Sequence, residues 1–242
     1  VDGGMAALCD ALAADLGDVV RLGSVVTKVT HDETAVVTLA SGETIEARTV
    51  VSTLPPRLAV ALEYDPPLPQ WRRDVAEKVA PGNVIKAYLV YETPFWRERG
   101  LSGQSSSDEG AVRVTFDTTP ADSTRGLLMG FFEGNEADSL AHRSLETRRR
   151  AFVESAVHAF GEEAAEPSEY VERDWSAEQY TRGCHGAHFA PGIWTSNGPV
   201  LAASEGCLYW AGAEYSTKFN GYMEGAVRSG EGVAATIAVA LI

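Results

Sequence analysis

Cysteine is scarce in this 242-residue sequence: only Cys9, Cys184 and Cys207 occur. Three scattered cysteines cannot build a disulfide framework, and their scarcity points to a reducing compartment, the cytosol. No C-x-x-C is present and no His/Cys group has metal-ligand spacing, so a structural metal is not expected. Positive charge is in deficit, with 20 Lys and Arg against 34 Asp and Glu, a net charge of −14. That balance excludes a surface built to neutralise phosphates, hence a nucleic-acid partner. It also excludes docking on anionic lipid. The longest apolar run, Val233 to Ile242, is about half of what a membrane-spanning helix needs. Val1-Asp2-Gly3-Gly4 offers no basic or apolar leader, and no methionine opens the chain, which suggests a fragment or a trimmed chain. Repeats and low-complexity segments are absent too. What remains is an ordinary globular composition, 45% apolar and 22% charged. The length suits one large domain or two small ones, and it can bury a core without staples.

Met5, Leu8, Leu12 and Leu16 recur at helical spacing, and Gly17 can end that helix. Val25–Val29, Ala35–Leu39 and Thr44–Glu46 read as a small antiparallel meander turned by Ser41-Gly42. Thr49–Leu54 reads as a buried strand stopped by Pro55-Pro56. Pro66, Pro67 and Pro69 mark a composition shift and a boundary near residues 65–80. Val84–Tyr91 and Gly126–Phe132 follow as strands. Glu136–Phe160 reads as one long helix. The last third is rich in glycine and aromatic residues. There Leu208–Ala213 is a strand, and Gly221–Leu241 is a helix with Asn220 placed to cap it.

Four features bear on chemistry. Gly230-x-Gly232-x-x-Ala235 matches a dinucleotide fingerprint formally, but it lies inside a helix with no strand before it. The strand–turn–helix from Leu208 to Leu241 is more informative, because a helix N-terminus after a buried strand favours anions. Gly221 and Gly225 there permit close approach, although plain helix–sheet packing explains the spacing equally. Lys86 sits among Val84, Tyr88 and Val90, either as an edge-strand lysine reaching solvent or as a buried lysine in a site. Cys184, bracketed by Gly183 and His185-Gly186, is either an inert thiol or a reactive one beside a base. Trp175, Trp194, Trp210 and Tyr180 read as core aromatics.

Together these segments resemble the flavin-containing monoamine oxidase family over nearly the whole chain. The most specific part is Tyr209-Trp-Ala-Gly-Ala-Glu214 followed by Asn220-Gly-Tyr-Met-Glu-Gly-Ala-Val227 and Ser229-Gly-Glu231, which is similar to the family's C-terminal flavin motif. Gly82-Asn-Val-Ile-Lys86 with Pro94-Phe-Trp-Arg97 resembles the substrate-domain strand that carries its active-site lysine. Trp175, Glu178-Gln-Tyr180, Gly183-Cys184 and Phe189-Ala-Pro-Gly192 resemble the loop where some members attach flavin to cysteine. Val20-Arg-Leu22 to Val26 resembles the strand that supports the adenosine. Gly3-Gly4 and Val51-Ser-Thr-Leu-Pro-Pro56 also fit.

The resemblance implies a mixed α/β (α+β) fold, comprising a partial FAD/NAD(P)-binding Rossmann-like domain and part of an amine-oxidase-type substrate domain with a mixed sheet and helices. Residues 1–75 and 178–242 would belong to the FAD-binding domain and 76–177 to the substrate domain. The family's N-terminal glycine-rich pyrophosphate unit has no counterpart, so the chain is expected to be a C-terminal portion. It would need a complementary N-terminal chain, or associate with itself. The implied activity is FAD-dependent oxidation of an amine, with O₂ reduced to H₂O₂. Lys86 matches the lysine that holds a water near flavin N5. Cys184 matches the cysteine of the thioether to flavin. Tyr222 matches one wall of the aromatic cage, and His185 stands where the other wall is usually aromatic. Trp175 matches the tryptophan beside the isoalloxazine, and Val26, Gly212, Glu214, Gly221 and Met223 match cofactor contacts. The motif reads Gly212-Ala213-Glu214 where the family has threonine, so one hydroxyl contact is missing. Alternatives are an L-amino acid oxidase, with Arg97, Arg113 or Arg182 pairing a substrate carboxylate, a polyamine oxidase, or a non-catalytic subunit.

Overall fold

The computed structural model describes residues 3–184 and 187–241. In chain order the first part holds α1 (Ala6–Leu16), β1 (Val26–His31), β2 (Ala35–Leu39), β3 (Thr44–Ala47), β4 (Val50–Ser52), α2 (Pro56–Ala59), β5 (Glu63–Asp65), α3 (Gln70–Glu77) and β6 (Val79–Pro81). The middle holds β7 (Val84–Tyr91), α4 (Phe95–Glu98), β8 (Ser105–Ser106), β9 (Val114–Asp117), β10 (Gly126–Glu133), α5 (Asn135–Ala141), α6 (Leu145–Phe160) and β11 (Glu169–Asp174). The last part holds β12 (Ala187–Phe189), α7 (Ile193–Leu201), β13 (Leu208–Trp210) and α8 (Met223–Ala240).

Helices and sheets are mixed, as the implied class requires. The meander β3-β2-β1 is antiparallel and gains β5 as a parallel neighbour of β1. The largest sheet runs β11-β7-β10-β9-β8, antiparallel throughout. Two smaller pairings, β12 with β6 and β13 parallel to β4, join segments far apart in sequence.

Two apolar clusters organise the chain. One lies between the large sheet and α6, where Ile85, Ala87, Leu89, Leu128 and Phe132 meet Phe152, Ala156 and Phe160. Alternation along β7 and β10 sends every second side chain to this face. Gly130 is required there: a Cβ would stand 2.5 Å from Val112 Cγ1 and 2.7 Å from Phe152 Cζ. The second cluster gathers Val29, Tyr64, Leu68, Val75, Val79, Leu201, Leu208, Trp210 and Tyr215, drawn from both ends of the chain.

The structure corrects several expectations. The long helix expected over Glu136–Phe160 is two, because Ser144 interrupts it and its Oγ caps α6 by accepting from the Thr147 N–H at 3.2 Å. The strand expected over Thr49–Leu54 shrinks to three residues, and Val51 is 40% exposed, since β13 is its sole strand neighbour among the described residues. Helix α1 forms at its expected place, yet none of its residues is buried and Leu8, Leu12 and Leu16 are exposed. Tyr180 is exposed rather than a core aromatic. Asn220 does not cap α8, which starts later, behind Tyr222. Its amide instead donates to the carbonyls of Glu214 (2.9 Å) and Ser216 (3.2 Å).

Candidate functional site

Strand β7 lies between β10 and β11, so Lys86 is an interior-strand residue and the edge-strand reading is wrong. Its register partners are Phe131 on β10 and Arg173 on β11. Lys86 and Tyr88 point away from the α6 core, onto the opposite face of the sheet. By strand alternation that face also carries Leu127, Met129, Phe131 and Glu133 from β10 and Glu169, Val171 and Arg173 from β11. The Lys86 ammonium stands 5.5 Å from the Tyr88 ring centre and 5.9 Å from that of Phe131, within cation–π range. Phe116 packs edge-on to Phe131 at 6.4 Å. The result is an aromatic patch around a half-buried ammonium, with Arg173 opposite it paired to Glu178 at 3.0 Å.

The loop after β11 folds back onto the start of β7. Trp175 donates its backbone N–H to Val84 O (3.2 Å) and accepts from the Gly183 N–H (2.9 Å), while the Cys184 N–H donates to Gly82 O (2.9 Å). A Cβ at Gly183 would lie 2.7 Å from Pro81 Cβ, so only glycine lets the loop approach this closely. Trp175 and half-buried Cys184 are thereby set beside the strand that carries Lys86. The indole Nε1 of Trp175 is buried without a hydrogen-bond partner. His185 lies outside the described residues.

A second group assembles where the parallel strands β4 and β13 end. Carboxyl ends of parallel strands are where open α/β sheets place their ligands. Beyond β13, Gly212 adopts φ 133° and donates its N–H to Ser229 Oγ on α8 at 3.2 Å. Glu214 follows in a short 3₁₀ turn. It is 9% exposed. Ser52 Oγ, at the end of β4, is buried without a hydrogen-bond partner. Gly221 donates its N–H to Ala213 O at 3.1 Å, which brings the start of α8 back against this turn. Tyr222 and Met223 at that helix start are exposed, Tyr222 to 70%. Gly225 allows the close approach, since a Cβ there would be 2.2 Å from Phe219 O. Val26 is half-buried at the edge of the second cluster.

The predicted residues thus fall into two groups, Lys86, Trp175 and Cys184 on one side and Gly212, Glu214, Gly221, Tyr222 and Met223 on the other. Strand β12 links them. It pairs with β6 immediately before β7, while its Phe189 packs on the second cluster. Sequence reading missed Ser52, Arg72 and Glu205. Ser52 gave only its place in a motif, and nothing in the sequence marked a helical arginine and a loop glutamate as partners. The Arg72 guanidinium, 3% exposed, lies between the rings of Trp71 (4.6 Å) and Trp210 (4.3 Å). It donates to Glu205 Oε1 at 2.8 Å, and burial beside this pair pushes the Tyr64 hydroxyl up to about 12.

Residues 1–238 match the family described as Flavin containing amine oxidoreductase. The chain belongs to that family. AofH of Mycobacterium tuberculosis (strain CDC 1551 / Oshkosh), whose name places it among the flavin-containing monoamine oxidases, is 39% identical over 100% of this chain and 52% of its own length. Amine oxidase [flavin-containing] B of Canis lupus familiaris is 36% identical over 97% of this chain and 46% of its own. Among solved structures, wild-type putrescine oxidase bound to putrescine superposes with a TM-score of 0.93 at 34% identity, covering 98% of this chain and 53% of that one. Cyclohexylamine oxidase from Brevibacterium oxydans IH-35A gives 0.92 at 32% identity. The chain spans about half the length of the curated relatives it matches.

A flavin suits the residues of this chain. The Ser52 hydroxyl and the Trp175 indole N–H are buried without partners, which is costly unless a ligand supplies the missing hydrogen bonds. Ser52 stands at the end of the parallel strand β4, and Trp175 follows β11 next to the strand that carries Lys86. Among the described residues no group of His, Cys, Asp and Glu could hold a metal, and no helix is long and apolar enough to cross a membrane.

Proposed function

We propose that this chain forms part of an FAD-dependent amine oxidase. The reaction converts an amine, water and O₂ into a carbonyl compound, ammonia and H₂O₂. The observation that carries this reading is the pair of buried polar groups without partners, the Ser52 hydroxyl and the Trp175 indole N–H, at positions of the family's flavin motifs. When bound, the flavin accepts two electrons from the amine and passes them to O₂.

The chain's own residues have separable tasks. Residues 1–75 and 178–242 are assigned to the FAD side and 76–177 to the substrate side, a division supported by the two apolar clusters. Gly212, Glu214, Gly221, Met223 and Val26 would hold the cofactor. The N-terminus of α8 favours negative charge nearby. Trp175 would contact its ring system, and Cys184 would supply a covalent link to it. Lys86 would hold a water at its Nζ, and Tyr222 would line the approach of the amine. The rings of Tyr88 and Phe131 beside Lys86 suit an amine with an apolar body.

An amino acid substrate would require a cation for its carboxylate. Arg97 and Arg113 are engaged instead by Asp117 and Glu136, each at 2.6 Å, and Arg182 donates to Gln179 O at 3.2 Å. A diamine would require a carboxylate; on this face Glu169 is paired with Arg125 at 2.7 Å, and Glu133 is exposed at the end of β10.

The test is a visible spectrum of the purified protein, before and after adding FAD, repeated on the pellet and supernatant of acid precipitation. Flavin absorbance supports the reading, and absorbance retained in the pellet supports the Cys184 link. A sample that stays colourless with FAD added, also in the presence of a complementary chain that carries the glycine-rich pyrophosphate unit, overturns it. In the flavin-loaded protein Lys86→Met is expected to slow reoxidation by O₂; an unchanged rate removes the role given to Lys86.

A further inference from the structure

The buried ion pair Arg72–Glu205 lies outside the residues assigned to cofactor or substrate, yet it grips the segment that carries the flavin motif from both sides. Every donor group of Arg72 is used. Nε donates to Glu205 Oε1 (2.8 Å), Nη1 to Leu201 O (2.8 Å) and Nη2 to Ala203 O (2.7 Å). The carbonyls close the C-terminal end of α7, where a cation is favoured. The planar face of the guanidinium covers the Trp210 ring at 4.3 Å, and the second oxygen of Glu205 accepts from Trp210 Nε1 at 2.6 Å. Trp210 is thus held by its face and its edge at once. Tyr215 stacks on it, with centroids 6.1 Å apart and planes inclined by 28°, and donates its hydroxyl to Leu54 O at 3.0 Å. Trp210 and Tyr215 bracket Ala211 to Glu214, so the two ends of the Gly212–Glu214 turn rest on one buried charge pair.

A buried ion pair is a poor device for stability alone, because desolvation offsets most of its attraction and apolar residues of similar volume often serve as well. Its strength is directional: a planar fork with fixed donors sets the angle of what it touches. We propose that Arg72 and Glu205 are positioning residues, which orient Trp210 and Tyr215 so that the Gly212–Glu214 turn is shaped for the flavin before it binds. This rests on the reading that the turn holds flavin.

The test uses the protein with FAD added and compares Arg72→Lys and Glu205→Gln with Phe152→Leu. Phe152 lies in the other apolar cluster and provides a destabilised control. Arg72→Lys keeps the charge and loses the fork and the stacking. Glu205→Gln keeps the shape and an acceptor but loses the charge, and it serves if Arg72→Lys does not fold. The readouts are the FAD dissociation constant, the visible circular dichroism of bound flavin, and the urea midpoint. The expected result is a dissociation constant raised at least tenfold, with altered flavin dichroism, in both network variants and in neither respect in Phe152→Leu at a similar loss of midpoint. If the network variants change FAD binding no more than Phe152→Leu does, the pair is structural only and the proposal is overturned. If the wild-type protein binds no FAD even with a complementary chain that carries the glycine-rich pyrophosphate unit, the functional reading fails and the proposal fails with it, an outcome told apart by the wild-type titration.

Discussion

Three glycines on helix α8 are expected to respond to alanine in opposite directions. At Gly230 and Gly232 a new Cβ meets nothing within 4 Å. Each change to alanine there should stabilise the protein by about 1 kcal/mol, the difference in helix propensity. At Gly225 the same Cβ would stand 2.2 Å from Phe219 O, 2.9 Å from Phe219 C and 3.2 Å from Lys218 O. These are backbone atoms, so the whole 218–222 segment must retreat by about 1 Å, or the helix must shift. Overpacking of this kind costs about 1–3 kcal/mol, and a backbone clash so short belongs at the upper end. After the propensity gain, Gly225→Ala should destabilise by about 2 kcal/mol, roughly 3 kcal/mol apart from Gly230→Ala. For a chain of this size that separates the melting temperatures by about 6–12 °C. Thermal and urea unfolding of the three single variants gives the comparison directly. Because the displaced segment carries Gly221 and Tyr222, Gly225→Ala should also weaken FAD binding while the other two leave it unchanged. A Gly225→Ala protein as stable as Gly230→Ala would refute the packing of α8 against Phe219.

Asp117 provides a pH signature. Burial pushes its carboxyl up, but hydrogen bonds from Arg97, Thr119 and Trp96 outweigh burial and hold it at about 2. The folded value lies below the unfolded one near 4, so the contribution is complete above about pH 4 and drains away as the pH falls from about 4 to about 2. It is on the order of 2 kcal/mol. Asp117→Asn should flatten the acid limb of the stability profile, and an unchanged limb would count against the cluster. Arg148 reaches Glu172 and the carbonyls of Leu140, Ala141 and Arg143. With both partners mostly buried, Arg148→Ala should cost about 3 kcal/mol in urea unfolding. Phe152→Ala should cost about 3–5 kcal/mol by the same assay, since its ring fills the space under Gly130.

Local chemistry made much of this chain legible. Alternation named β7 and β10, the spacing of Met5, Leu8, Leu12 and Leu16 named α1, and Gly-Ala-Glu followed by Asn-Gly-Tyr-Met named the flavin family. These signals are short-range, written in residues a few positions apart, and they survive any tertiary arrangement. Partners distant in sequence were invisible. Lys86 is an interior residue because β11, more than eighty positions later, pairs with β7. The Glu136–Phe160 pattern hid a break, since Ser144 signals a cap only when the chain actually turns there. Arg72 meets Glu205 across 133 positions, a contact that no window of sequence can contain. The orphaned Ser52 hydroxyl and Trp175 indole N–H became evidence only through burial, which is a property of the packed chain. Composition and local pattern determined the elements and the family. Long-range packing decided which of three alike glycines is indispensable, which lysine is enclosed and which polar groups are left waiting for a ligand, because each depends on what a distant segment places within a few ångströms.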